Sequence, residues 1–90
     1  MSASGRGERS STRVVTYRYE VPGGFDESVV EPVIERAREA GVVTEYDTGR
    51  GQVVWFQGPP GDGLRALRER VLELLGPRAR AVVVSERRTR

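Results

Sequence analysis

The hydrophobic period of this chain switches repeatedly between that of a strand and that of a helix, and this succession restricts the fold more than any other feature. Residues 13–21 alternate apolar and polar side chains, as a half-buried strand does. Residues 64–75 instead carry leucine and valine at the spacing of an amphipathic helix. Glycine and proline clusters separate the segments. The whole succession predicts strand, helix, strand, strand, helix, strand.

The first helix is predicted after the turn at residues 22–24. Ser28 and Glu31 have the spacing of a capping box, and Asp26 or Glu31 could cap the helix instead. Because proline is tolerated only in a first helical turn, Pro32 predicts that the regular helix begins late. Gly41 is expected to end it.

The middle of the chain is predicted to form a hairpin, with strands at about residues 42–47 and 52–57 around the turn sequence DTGRG. The loop GPPG follows, so Asp62 is expected to be the N-cap of the second helix, which ends at Gly76-Pro77. The last strand is predicted in the segment RARAVVVSE, residues 78–86.

Right-handed crossovers place both helices on the same face of one sheet. The sequence therefore predicts an α+β fold, a ferredoxin-like βαββαβ two-layer sandwich whose antiparallel four-stranded sheet has the order 4-1-3-2. This domain is expected to span residues 13–86, with a flexible Arg/Ser/Gly-rich tail at 1–12 and a basic tail at 87–90.

The strand alternation also separates the two faces of the sheet. Tyr17 and Tyr19 are expected in the core, together with either Trp55 or Phe56, a choice that the sequence leaves open. The uncovered face is then expected to carry the other aromatic residue of that pair and five polar or charged side chains: Thr16, Arg18, Glu20, Glu45 and Asp47.

Residue types that much enzyme chemistry requires are missing from the chain. Cysteine and histidine are absent, which excludes disulfides, thiolate nucleophiles and the usual transition-metal ligands. The stretch RGQVVWFQG begins like the base-stacking strand of RNA-recognition motifs, but polar or aliphatic residues hold that motif's aromatic positions: Gln52, Val54 and Gln57. We therefore expect no catalytic residue, metal or cofactor.

No segment has the length of apolar sequence that a signal peptide or membrane span requires, so a cytoplasmic location without membrane contact is expected.

Positive charge is concentrated at the two ends of the chain. The net charge is +2 and every basic residue is arginine, yet the segment between the ends is mildly acidic. Because the first and last strands are predicted to be antiparallel neighbours, both ends meet at one end of the sheet. Six arginines form the predicted polyanion-binding site: Arg6, Arg9, Arg13, Arg87, Arg88 and Arg90. The expected partner is an acidic macromolecule, either an acidic protein surface or nucleic acid bound without sequence specificity. Solubilising tails without a partner are the alternative.

The order and spacing of the segments over residues 14–85, with the loop Pro22–Gly24 between the first strand and the first helix, resemble those of ACT domains. The resemblance implies a regulatory or assembly domain that forms a homodimer through its sheet or helices. It also implies a small ligand held at that loop, with Gly23, Gly24 and Phe25 as the binding residues.

Overall fold

The computed structural model describes the backbone of residues 12–89 and the side chains of residues 13–82. Within this range the regular elements are β1 (Thr12–Glu20), α1 (Glu27–Glu39), β2 (Glu45–Asp47), β3 (Val53–Gly58), α2 (Asp62–Leu75) and β4 (Arg80–Thr89). A turn at Gly49–Gln52 connects β2 to β3. The predicted succession of strands and helices is confirmed.

The four strands form one antiparallel sheet in the order β2-β3-β1-β4, which is the predicted order read from the other edge. Both helices contribute buried residues to a single core, with Ile34 from α1 and Val71 from α2 packed in the same cluster as Val54 of β3. Both helices therefore cover the same face of the sheet. This α+β arrangement is compatible with a ferredoxin-like sandwich.

The register between β1 and β3 settles which aromatic side chain enters the core. Tyr17 is paired with Phe56, and Arg18 is paired with Trp55. Phe56 is completely buried, and the centre of its ring lies 5.7 Å from the centre of the Tyr17 ring. Trp55 therefore points to the uncovered face, as neighbouring residues of a strand point to opposite sides.

The side chain of Arg68 on α2 contacts two tyrosines of β1. Tyr19 is buried, and its hydroxyl accepts a hydrogen bond of 2.8 Å from Nε of Arg68 on α2. The same guanidinium lies 5.3 Å from the centre of the Tyr17 ring, within the range of a cation–π contact. The phenol that the core encloses thus has a hydrogen-bond partner, as a buried polar group requires.

The starts of both helices differ from the predictions. Asp26 is the N-cap of α1, where its carboxylate accepts a 3.0 Å hydrogen bond from the Ser28 amide. The late start predicted from Pro32 is wrong, because this proline lies inside α1. Its missing N–H would have paired with the carbonyl of Ser28, an exposed residue that water can reach. In α2 the N-cap is Gly61, so Asp62 is the first helical residue and not the cap.

β2 begins at Glu45, whereas the sequence predicted a strand from about Val42. The C-terminus of α1 explains the difference. Gly41 has a φ of +82°, and the Val42 amide turns back to donate 2.9 Å to the carbonyl of Ala37. Val43 is then buried in the core. The two valines therefore belong to the end of the helix and to the core, and only three residues remain for the edge strand.

β4 continues past the predicted boundary at residue 86 to Thr89. Arg87 and Arg88, assigned to a tail from the sequence, pair in the sheet with Val14 and Arg13, respectively. The strand extends this far because the first residues of β1 supply antiparallel backbone partners for it. Residues 1–11 and 90 lie outside the described residues.

The turn between β2 and β3 is left-handed. Arg50 has φ +60° and ψ 30°, followed by Gly51 at φ +77°. The left-handed region costs a residue with a Cβ about 1–2 kcal/mol, and glycine avoids most of that cost. We expect Arg50→Gly to raise the free energy of unfolding by about 0.5–1 kcal/mol, measured by urea denaturation. Arg50→Ala keeps the Cβ and is the control. Equal stabilisation by both variants would show that the side chain, and not the backbone, is the source of the strain.

Candidate functional site

The first candidate surface is the end of the sheet at which β1 begins. β3 pairs with β1 only from Val15 onward, where Gly58 is the partner. The residues before Val15 pair with β4 alone among the described strands. Residues 12–14 and 87–89 therefore form a two-stranded extension, which we call the arginine ribbon, that continues past the end of β3.

The arginine ribbon unites half of the arginines predicted from the sequence. Arg13 and Arg88 are direct cross-strand partners, and Arg87 lies opposite Val14. The side chain of Arg13 is exposed. The other three predicted residues, Arg6, Arg9 and Arg90, lie outside the described residues.

The second surface is an acidic groove at the opposite edge of the sheet, between α1 and β2. Its volume is about 550 Å³. Its charged lining residues are four carboxylates and one arginine: Glu31, Glu35, Glu45, Asp47 and Arg38. The other residues that line it are Thr44, Tyr46, Thr48 and Trp55. This groove gives the β2 edge a negative character.

One hydrogen-bonded cluster holds the floor of the acidic groove together. The Tyr46 hydroxyl donates 2.8 Å to a carboxylate oxygen of Glu35, which also accepts 3.1 Å from Nε of Arg38. The hydrogen bonds from Arg38 and Tyr46 lower the pKa of Glu35. Burial, followed by the hydrogen bond to Glu35, raises the pKa of Tyr46 to about 12. Glu35 is therefore ionised and Tyr46 protonated at neutral pH. This cluster was not predicted from the sequence, although the i, i+3 spacing of Glu35 and Arg38 on one helix was a usable signal.

The third surface is the loop that the ACT resemblance singles out. Gly23 and Gly24 have φ values of +87° and +86°, and the Phe25 amide donates 2.7 Å to the carbonyl of Gly51. A cavity of about 320 Å³ adjoins the loop. Its lining residues are Glu20, Val21, Pro22, Gly23, Gln52 and Val53.

Of the three predicted ligand residues, only Gly23 lines this cavity. Phe25 packs partly buried against the core. Gln52 and Val53, which the turn after β2 brings beside the loop, were not predicted from the sequence. Arg78 was not predicted either; its Nη1 would lie 2.9 Å from a Cβ added at Gly23.

The fourth surface is the face of the sheet that the helices leave uncovered, which we call the open face. Its side chains stand in cross-strand rows that the register defines: Thr16, Gln57 and Glu45; Arg18, Trp55 and Asp47; Glu20 and Val53. The predicted residues of this face are therefore found together, with Trp55 as the aromatic one. Trp55 is partly buried by its neighbours.

Hydrogen bonds link one row of the open face. Thr16 donates 3.2 Å to the side-chain oxygen of Gln57. The amide nitrogen of Gln57 lies 3.5 Å from a Glu45 carboxylate oxygen. The face is thus ordered by its own side chains, with positive charge at Arg18 and negative charge toward β2.

Comparison of the chain with models of protein families, with curated proteins and with solved structures finds no significant match. No group of three or more carboxylates within the described part of the chain is arranged to hold a metal ion. None of the helices formed by residues 12–89 has the length and apolar character needed to cross a lipid bilayer. A functional assignment therefore depends on the chemistry of the surfaces themselves.

Proposed function

We propose that the protein is a non-enzymatic binding module that contacts an acidic macromolecule through the arginine ribbon, aided by the arginines adjoining it in sequence. The observation that supports this most directly is the pairing of Arg13 with Arg88, next to Arg87, at one end of the sheet. Arginine presents a planar fork of donors that matches phosphate and carboxylate groups. Three of the six residues in this stretch of paired backbone are arginine, so positive charge is dense there.

The charge distribution gives the proposed contact an orientation. The arginine ribbon belongs to β1 and β4, whereas the acidic groove lies beside β2 at the other edge of the sheet. A polyanion is attracted at one edge and repelled at the other, so it meets the module in a restricted orientation. A two-stranded ribbon is also narrow enough to enter the major groove of duplex DNA. Contacts of arginine with phosphate fix position without reading sequence, so non-specific binding is expected.

The test is fluorescence anisotropy with labelled single-stranded RNA, duplex DNA and polyglutamate over a range of salt concentrations. With at most six arginine contacts to phosphate, the plot of log K against log salt should have a slope no steeper than about −5. The triple variant Arg13→Gln/Arg87→Gln/Arg88→Gln is expected to weaken binding and to reduce that slope by about half.

A matched triple variant controls for net charge. Three exposed arginines on the helices serve this purpose: Arg36, Arg65 and Arg70. Changing them to glutamine removes the same charge away from the ribbon, so binding should stay close to that of the unmodified chain. Equal weakening by the two triple variants, or no binding of any probe at low salt, would contradict the proposal.

A second candidate function is an ACT-like regulatory domain that senses a small ligand, and the cavity beside Pro22 and Gly23 favours it. Backbone amides of a glycine-rich loop can approach a ligand closely because no Cβ intervenes. Titration of isotopically labelled protein with a panel of small metabolites tests it by NMR. Shifts confined to residues 20–23 and 52–53 support a ligand site there, and a panel without any such response counts against it.

A further inference from the structure

The two edges of the sheet differ in how well they resist pairing with another chain. β2, at one edge, has only three residues, and two of them are acidic. Short and charged edge strands discourage further pairing. β4, at the other edge, has ten residues, and among the described strands only β1 pairs with it. The outer side of β4 therefore carries a long row of backbone N–H and C=O groups without a partner strand among the described residues.

A β-bulge at Val82 limits the part of this edge that is regular. The register skips Val82 between the pairs that Arg18 and Tyr19 make with β4. Beyond the bulge, seven consecutive residues, 83–89, pair with β1 without interruption. Val82 is 46% exposed, so an apolar side chain also lies beside the start of this stretch. Residues 83–89 are therefore the segment to which a further strand can be added.

The same segment contains the β4 part of the arginine ribbon. Its first two residues are valines, and its last three residues include Arg87 and Arg88. Glu86 is its one acidic residue, and Arg13 lies across the sheet from Arg88. The edge is thus apolar in sequence at one end and basic at the other.

We propose that an acidic, extended segment of a partner protein binds beside residues 83–89 as a fifth strand of the sheet. This inference rests on the proposed function and specifies its partner as a protein. Only a polypeptide offers N–H and C=O groups at the spacing of a strand, so it can satisfy the outer row of β4 whereas nucleic acid cannot. Cross-strand pairs of opposite charge stabilise a sheet, which favours carboxylates opposite Arg87 and Arg88. A second copy of β4 would bring further positive charge to this place and fits it less well.

The positions of charge along the edge also set the sequence of the bound strand. Every strand pair described in the sheet is antiparallel, and antiparallel pairing is slightly the more stable per residue. An antiparallel neighbour lies first opposite the two arginines and last opposite the two valines, so its acidic residues precede its apolar ones. About three or four residues of the stretch direct both backbone groups outward, since alternate residues of a strand bond to opposite sides. Backbone hydrogen bonds therefore hold the segment together with charge.

The first experiment separates backbone pairing from attraction by charge. The probe is the end-blocked octapeptide Asp-Glu-Asp-Glu-Val-Thr-Val-Thr, and its binding to the full chain is measured by fluorescence anisotropy. A matched peptide carries a methyl group on every backbone nitrogen, so it keeps the charge and has no N–H on either edge. The methylated peptide should bind at least about tenfold more weakly, because several hydrogen bonds are lost together. Equal binding of the two peptides would overturn the fifth strand.

The second experiment locates the bound peptide by amide hydrogen exchange of the full chain. Alternate amides of residues 83–89 should exchange rapidly in the free protein and at least about tenfold more slowly with saturating peptide. The amides of β2 should not change. Arg87→Gln/Arg88→Gln should weaken peptide binding by about threefold to tenfold. Arg36→Gln/Arg65→Gln removes the same charge from exposed positions on the helices and should leave binding unchanged.

Three further results would overturn the fifth strand. Protection at β2 and not at β4 would place the peptide at the wrong edge. Slow exchange of every amide of residues 83–89 in the free protein would mean that another segment or a second copy already pairs there. Duplex DNA that binds more tightly than the peptide and displaces it would identify nucleic acid as the partner. That last result, like equal binding of the two peptides, leaves the proposed function intact, whereas failure of every polyanion to bind removes both.

Discussion

Replacing Phe56 with alanine is expected to lower the free energy of unfolding by about 3–5 kcal/mol, whereas the same replacement at the adjacent Trp55 is expected to lower it by about 1 kcal/mol. Phe56 is completely buried and its ring contacts that of Tyr17. Alanine leaves a cavity there that the sheet and the two helices cannot close without losing other contacts. Trp55 faces the other side of the sheet, where water fills the space that alanine leaves.

Urea denaturation followed by far-ultraviolet circular dichroism measures both values. A domain of this size has a total stability on the order of 5–10 kcal/mol, so Phe56→Ala should leave a significant unfolded population at ordinary temperature. Phe56→Leu keeps most of the volume and is expected to lose about 1–2 kcal/mol. If Trp55→Ala were as damaging as Phe56→Ala, the pairing of Tyr17 with Phe56 across β1 and β3 would be wrong.

The second large effect is expected at Gly58, the last residue of β3. A Cβ added there would lie 2.2 Å from the carbonyl oxygen of Val42 and 3.2 Å from the Cα of Val43. Both contacts are with backbone that follows α1, so no side-chain rotation relieves them. We expect Gly58→Ala to cost about 3 kcal/mol, at the upper end of the usual cost of overpacking.

Gly61→Ala is the matched control for Gly58→Ala. No heavy atom lies within 4 Å of a Cβ at Gly61, so the only cost expected is that of alanine at the N-cap of α2, about 0.5–1 kcal/mol. Chemical denaturation of both variants gives the comparison. A loss below about 1 kcal/mol at Gly58 would mean that the chain after α1 moves away easily and that the close approach of Val42 is not required.

The strand order and the positions of the helices could be predicted because each depends on a local pattern. The apolar stripe of α2 and the alternation of β1 appear in the sequence without knowledge of any contact. β2 was predicted to begin too early because valine is a typical strand residue and Val42 and Val43 precede the strand. In the structure the Val42 amide donates a hydrogen bond to the carbonyl of Ala37, so it belongs to the end of α1. The late start of α1 came from treating proline as a strict boundary, although an exposed carbonyl four residues earlier makes it tolerable.

A surface could be predicted from the sequence better the less it depends on the exact register of the strands. The meeting of Arg13 and Arg88 needs only that β1 and β4 are antiparallel neighbours. The choice between Trp55 and Phe56 needs the exact register, since a slip of one residue exchanges the two faces of a strand. The bond between Tyr46 and Glu35 joins a helix to an edge strand, and no local pattern encodes the distance between them.

The arginine ribbon also has a consequence for the order in which the protein folds. Thr12 pairs with Thr89, so the strand that is made first cannot complete its ladder until residue 89 has been made. At about 5–20 residues per second, synthesis leaves β1 without its second neighbour for several seconds. An interior strand waiting with one edge unpaired is open to wrong pairing with other chains, and closure over such a sequence separation is slow. Between the synthesis of β3 and that of β4 the nascent chain therefore exposes one unpaired edge of β1, and a chaperone that shields this edge would act in that interval.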